Sequence, residues 1–490
     1  MALPHTPLFI GGQYKSAHND ETFEVRNPYS GKVVGTASAA SNEDCKAAVD
    51  AAANAFKTWE KTSIEYRRDI LLKAAELVAT EKYKSKIIAA QGDETAAVPY
   101  WSLFNWYTTP NVLKTLAGSI HQLRGEVIPS GLVPGAELVA RRRALGVIFS
   151  IAPWNAAFGL SVRAIAAPIL CGNTVVLKCS EYSPKSQALA VELFQDAGVP
   201  EGVINFIATT REDAPATTAQ IIAHPAVRKV TFTGSDRVGK LIAIEAAKHL
   251  KPCVLELGCK TPIVILDDAN LELAAKAVAW GAMAHSGQIC MSTERIIVQS
   301  GIADSLISAV YDLVKPLRAG DPVTDPNVQL AALFNEATAE NVINLVREAQ
   351  EEGAELMLGD LTRKGTVVQP HLLKGVKPGM RLWDTESFGP VSFFSVVDSV
   401  DEAIDQANDT EYSLSAALWT SDVHNGQKIA SQINAGYVNI NGSTIHSDPG
   451  SGMLGLGGSS GYGRFDIDEF TAKRVLVVHP MEPRKYPLFE

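Results

Sequence analysis

Three side chains of this sequence have the type and setting for chemistry: a thiol, a carboxylate and an amide. Cys290, in Gly287-Gln288-Ile289-Cys290-Met291, sits in a small-residue turn between a helical pattern and a β-rich run, whereas the other five cysteines lie in apolar or helical contexts. A free thiol there is a nucleophile or a small buried hydrophobe, and the spacing leaves both readings open. Glu256 ends an apolar run in Val254-Leu255-Glu256-Leu257-Gly258. Burial among Leu and Val suits a group that takes a proton from water near neutral pH, while a hydrogen-bonded carboxylate at a sheet edge is the plainer alternative. Asn155, in Pro153-Trp154-Asn155, is either a turn residue or a donor to an oxyanion.

Such groups need rigid elements behind them, and the hydrophobic pattern supplies two α/β lobes. Ser41 caps an alanine-rich helix that runs to Trp59, and a second helix follows from Ile64 to Ala79. Residues 126–143, with Pro129, Gly131, Pro134 and Gly135, read as turns and an extended hairpin. Short β-rich runs at 147–149, 174–177, 203–206 and 230–232 alternate with helical segments as βαβ units do; Ser183-Pro184 marks one helix start and Gly198 its end. After Glu256 the texture repeats, with strands at 263–266, 296–298, 391–397 and 415–419 and helices at 271–284 and 303–317. The last run, 475–478, has no following helix and is expected to pair elsewhere, a partner subunit being one candidate. Gly450-Ser451-Gly452-Met453-Leu454-Gly455 is a formal GxGxxG, but no strand precedes it and no helix follows, so it reads as a loop.

Composition excludes several function classes. With 46% apolar and 20% charged residues the chain has ample material for large cores. Its formal charge of −10 disfavours nucleic acid and anionic membrane as partners, and Arg141-Arg142-Arg143 reads as a solvated or interface face. Six cysteines without CxxC or a secretory leader suit a reducing compartment, so a cytoplasmic location is expected. The histidines form no ligand cluster, and no metal is expected.

Five segments taken together are specific. Pro153-Trp154-Asn155, Phe232-Thr233-Gly234-Ser235, Leu255-Glu256-Leu257-Gly258, Gly287-Gln288-Ile289-Cys290 and Glu386-Ser387-Phe388-Gly389-Pro390 follow the order and approximate spacing of the NAD(P)-dependent aldehyde dehydrogenase superfamily, which the chain resembles over nearly its whole length. The resemblance implies an α/β fold with a Rossmann-like cofactor domain at 1–121 and 145–255 and an α/β catalytic domain at 256–435. It adds a small β oligomerisation element at 122–144 and 466–490, with 436–465 as a returning strand and glycine-rich loop near the substrate entrance. A homodimer or homotetramer is implied as well.

The chemistry implied is oxidation of a small-molecule aldehyde to its carboxylic acid through a thiohemiacetal and then a thioester on Cys290. Asn155 and the Cys290 backbone N–H would face the oxyanion, and Glu256 would activate the hydrolytic water. Lys178 and Glu181 would bind the adenosine ribose, Ser235 a pyrophosphate oxygen and Glu386 the nicotinamide ribose, with Phe388 beside the ring. Ile151, Trp154, Ser180, Gly234 and Leu257 complete the implied cofactor site. A carboxylate at Glu181 repels a 2′-phosphate, so NAD is favoured, with NADP possible.

Within the superfamily, Val162-Arg163-Ala164-Ile165-Ala166, Cys290-Met291-Ser292-Thr293-Glu294-Arg295 and Ser460-Gly461-Tyr462-Gly463-Arg464-Phe465 resemble the salicylaldehyde, vanillin and benzaldehyde dehydrogenases. That implies an aromatic aldehyde, with Phe158, Arg163 and Tyr462 as substrate contacts; a salt-bridged helix residue is the other reading of Arg163. An aliphatic aldehyde or semialdehyde as substrate, or a catalytically silent NAD-binding protein of the same fold, are the alternatives. Two departures from the family pattern stand out. Cys259 replaces a usual second glycine, which implies strain if that backbone takes φ > 0, and brings a second thiol that could oxidise with Cys290. The usual Pro-Phe-Gly-Gly reads Gly455-Leu456-Gly457-Gly458 in a shortened loop.

Overall fold

The computed structural model describes residues 3–325, 327–448, 452, 455–481, 486 and 488. Two large sheets organise it. In the first, five parallel strands lie in the spatial order Cys253–Glu256, Val227–Thr233, Val147–Ile151, Thr174–Lys178 and Ile204–Ile207. The chain starts at Val147–Ile151, winds outward in one direction, then returns to the other side. A topological switch therefore falls between Val147–Ile151 and Val227–Thr233, and in doubly wound sheets ligands bind outside the carboxyl ends at that point. The short strand Gly461–Tyr462 closes the edge beside Cys253–Glu256 in antiparallel register. Helices cover both faces, which is why these strands read as unbroken apolar runs.

The second sheet has seven strands, with Thr261–Ile265, Thr293–Gln299, Val391–Val397 and Ser415–Trp419 at its parallel centre. Residues 257–260 are the whole connection from Cys253–Glu256 to Thr261–Ile265. Cys290 and Glu386 precede the strands Thr293–Gln299 and Val391–Val397. The carboxyl edge of the first sheet thus meets the amino edge of the second.

Several local expectations hold in detail. Ser41 and Asp44 form a reciprocal capping box on Asn42–Trp59, and Gly198 ends Pro184–Ala197 at φ +96°. Other features differ from the sequence reading. Ser183 does not cap its helix; its hydroxyl bonds Gln187 at 3.2 Å, and the buried carboxylate of Glu94 accepts the Lys185 and Ser186 N–H groups at 2.8 and 2.7 Å. The C-terminal strand extends over Thr471–Val478 and pairs within the same chain, antiparallel to Glu137–Ala144, which also pairs with Glu126–Pro129. Within the chain its partner is that hairpin, a pairing hidden by the long sequence separation. Cys259 has no positive φ, so its side chain brings no left-handed strain. Residues 450, 451, 453 and 454 of the glycine motif lie outside the described residues. No helix among the described residues is long and apolar enough to cross a membrane.

Candidate active site

Ile151, Lys178, Thr233 and Glu256 are the last residues of four neighbouring parallel strands, and the register sets Ile151 opposite Lys178 and Thr233 opposite Glu256. One sheet edge therefore gathers residues from across a hundred positions of sequence. Gly234 and Ser235 follow Thr233 and open the helix Asp236–Lys248 at the switch point, with Ser235 exposed and capping it. A Cβ at Gly239 would sit 2.5 Å from Leu257, so that glycine lets the helix pack directly on the Leu257 side chain. A helix N-terminus at a switch point, held close to the sheet, suits a dinucleotide pyrophosphate, and these residues fit one. Lys178 is buried, its Nζ 3.3 Å from the Cys179 carbonyl; Ser180 and Glu181 continue beyond it and are partly exposed.

The second sheet contributes the facing wall. Glu386 accepts the Cys259 N–H at 3.0 Å and covers Gly258, where any Cβ would lie 2.3 Å from its carboxylate oxygen. Burial, with the charge of Glu294 added, pushes the Glu386 carboxyl up to about 8. Glu294 is itself buried and ion-paired with buried Lys260, and it accepts the backbone N–H groups of Ser387 and Phe388 at 2.9 and 3.4 Å. That clamp holds Phe388 in the left-handed region at φ +48°. Phe388 meets Trp154 edge-on at 6.1 Å, and Trp154 stacks on Phe334 at 4.6 Å.

Between the walls stand the thiol, the carboxylate and the amide. The partly exposed Cys290 faces Glu256, which is 1% exposed. Burial holds the thiol well above its ordinary pKa, the charge of Glu256 and its attraction for the thiol proton add to this, and Arg163 pulls the other way. Asn155 donates Nδ2–H to the Gln288 carbonyl at 2.9 Å, which fixes the amide orientation and leaves its second N–H available. Among the described residues the Cys290 backbone N–H finds no intramolecular acceptor.

The three expected substrate contacts are placed differently from one another. Phe158 is fully buried in the core of the first lobe, so it forms no open pocket wall; its helix packs that face on the sheet. Tyr462 is half-exposed on the edge strand, opposite Leu255 and next to the Glu256 pairing. Arg163 is turned onto Glu256, with Nη2 at 2.5 Å from Oε2 and 2.8 Å from the Thr233 hydroxyl. Its guanidinium carbon lies 4.2 Å from the centre of the Phe465 ring.

Some residues of the site carried no role in the sequence reading. Gln288 lies inside a recognisable segment, and it fixes Asn155 while its own side chain spans the His285 and Ala332 carbonyls. Trp101, which donates Nε1–H to the Asn155 carbonyl at 2.8 Å, had no local signal at all.

Known proteins resemble this chain over nearly its whole length. Residues 14–476 match the model of the aldehyde dehydrogenase family. A vanillin dehydrogenase of Pseudomonas sp. (strain HR199 / DSM 7063) is 44% identical over 490 residues, covering 99% of this chain and 100% of the relative. A salicylaldehyde dehydrogenase of Pseudomonas putida is 37% identical over 486 residues, covering 98% and 99%. Among solved structures, a salicylaldehyde dehydrogenase from Pseudomonas putida G7 complexed with salicylaldehyde superposes with a TM-score of 0.94 at 36% identity, over 99% of this chain and 100% of that one.

Proposed function

The chain belongs to the aldehyde dehydrogenase family, whose members oxidise aldehydes with NAD or NADP, and from that premise we propose an NAD-preferring enzyme for aromatic aldehydes that works through Cys290, Glu256 and Asn155. The observation that carries the site assignment is the meeting of a thiol, a carboxylate and an amide from three separate elements where the two sheets abut. The aromatic reading rests on the relatives named for vanillin and salicylaldehyde.

In the resting site Cys290 holds its proton. Glu256, facing it, is the acceptor that frees the thiolate to attack the aldehyde carbon. The oxyanion that forms takes hydrogen bonds from the spare Asn155 N–H and the Cys290 backbone N–H. NAD, when bound, supplies the two-electron oxidation. Lys178, Glu181, Ser235 and Glu386 hold it by ribose and pyrophosphate, with Ile151, Trp154, Ser180, Gly234, Leu257 and Phe388 around it. Once Glu256 has passed the thiol proton to solvent, it takes a proton from the water that attacks the thioester carbon; the C–S bond breaks, the Cys290 sulfur is protonated again and the carboxylic acid leaves.

The same reading takes 1–121 and 145–255 as the NAD domain, 256–435 as the catalytic domain, and 122–144 with 466–490, which hold the sheet of Glu126–Pro129, Glu137–Ala144 and Thr471–Val478, as the oligomerisation element of a cytoplasmic homodimer or homotetramer. Exposed Val127, Ile128 and Val475 to Val478 on that sheet support an interface, and sedimentation as a monomer would remove it. The function is tested by initial rates of NADH formation with benzaldehyde, hydroxylated benzaldehydes, hexanal and succinic semialdehyde, with NADP run in parallel. Aromatic members should lead by about tenfold, or about 1.4 kcal/mol of discrimination. Hexanal or succinic semialdehyde in the lead overturns the substrate class, and intact NADH production in Cys290→Ala overturns the mechanism.

A further inference from the structure

Arg163 has the reach of a substrate contact but is committed to the carboxylate assigned as the base. It lies in the helix Ala157–Leu170 that starts just after Asn155, and its side chain is 13% exposed against 2% for Glu256. Among the described residues it contacts the Glu256 carboxylate, the Thr233 hydroxyl at the end of the adjacent strand, and the Phe465 ring beneath the guanidinium plane. A planar fork held on an aromatic face is pre-organised in a way that a lysine ammonium is not.

We propose that Arg163 is a positioning residue for the base, fixing the Glu256 carboxylate against Cys290 and offsetting its charge beside the thiol, and not a contact to the aldehyde. The proposal rests on the assignment of Cys290 and Glu256 above. Among the described residues, the charged groups acting on the thiol are Glu256 from the strand, Arg163 from the helix and Glu386 from the opposite wall. Of these three only Arg163 is positive, and it acts on the thiol in the direction opposite to both carboxylates. Without it the carboxylate loses the contact that orients it, and thiolate beside two carboxylates becomes harder to form.

The test compares Arg163→Met, Arg163→Lys and the unchanged enzyme in two assays. The first is the pH midpoint of Cys290 alkylation by iodoacetamide in the absence of aldehyde and cofactor. The second is the division of the loss between kcat and KM for benzaldehyde. Arg163→Met should move the alkylation midpoint upward by about one pH unit or more and lower kcat at least about tenfold while benzaldehyde KM stays within about twofold. Arg163→Lys, which keeps the charge but not the fork, should restore the midpoint and only part of kcat. A raised benzaldehyde KM with kcat and midpoint unchanged would overturn the proposal and return Arg163 to the substrate. A midpoint that moves equally in Met and Lys variants would also overturn it, since charge would then be irrelevant. Turnover surviving in Cys290→Ala is a different result: it removes the underlying assignment whatever Arg163 does.

Discussion

Glu256→Gln separates two roles that the carboxylate combines. The substitution keeps the shape and the burial of a side chain that is 2% exposed, and removes only its charge and its pull on the thiol proton. Burial of Cys290 is therefore unchanged, while the next two causes of its raised pKa disappear and Arg163 is left facing the sulfur. A like charge at 4–6 Å moves a titration by about 1–3 units, and because Arg163 at 2.5 Å already offsets part of the Glu256 charge, a fall of about one to two units is expected. The assay is the pH midpoint of Cys290 alkylation by iodoacetamide. The other five cysteines are buried whereas Cys290 is partly exposed, and Cys290→Ser supplies the blank for any reaction at them. In the same variant turnover should fall by about two to four powers of ten, because the proton acceptor for thiol and water is gone. The nucleophile thus ionises at lower pH in the less active enzyme. A midpoint that stays put or rises in Glu256→Gln would refute the reading that this carboxylate holds the thiol protonated.

Further outcomes follow from other contacts. Asn155→Ala removes a side-chain donor to the oxyanion and should lower kcat by about two to three powers of ten, with the NADH titration unaltered. Glu386, raised to about 8, is mostly protonated at pH 7 and mostly ionised at pH 9, so its capacity to accept ribose hydroxyls grows across that range. NADH affinity read by fluorescence should rise by up to about tenfold from pH 7 to 9 and lose that dependence in Glu386→Gln. Glu94→Ala leaves the Lys185 and Ser186 N–H groups without their acceptor and should lower unfolding stability in urea by about 1–3 kcal/mol, with residual activity per folded molecule unchanged.

The residues proposed to act are more legible than the residues that hold them. Cys290, Glu256 and Asn155 stand in short segments whose composition and order carry the signal, and the parallel strands beneath them follow from unbroken apolar runs. Arg163 was visible as a charge on an apolar helix, but its partner depends on Thr233 and Glu256 being adjacent strand ends, which no local pattern specifies. Glu94 capping a helix some ninety residues later and the pairing of Thr471–Val478 with Glu137–Ala144 have the same cause. Phe158 entered as a substrate contact through the resemblance alone, and the sequence does not say whether its side chain turns to a cavity or, as found, to the core. Trp101 acts through an indole N–H on a distant carbonyl, a contact with no sequence signature.

The link 257–260 has a mechanical meaning. A short connection between two lobes is usually where a protein flexes, yet each of its four residues is gripped from elsewhere. Leu257 N–H bonds the Ser460 carbonyl at 3.2 Å, the Gly258 carbonyl takes the Ser460 hydroxyl at 2.8 Å, Cys259 N–H bonds Glu386, and Lys260 pairs with Glu294. The joint is a weld and not a hinge. The lobes cannot part like jaws at this seam without breaking buried polar contacts in concert. The strand end that carries Glu256 is thereby tied to the second sheet and to the returning segment at Ser460 by contacts at every residue of the link.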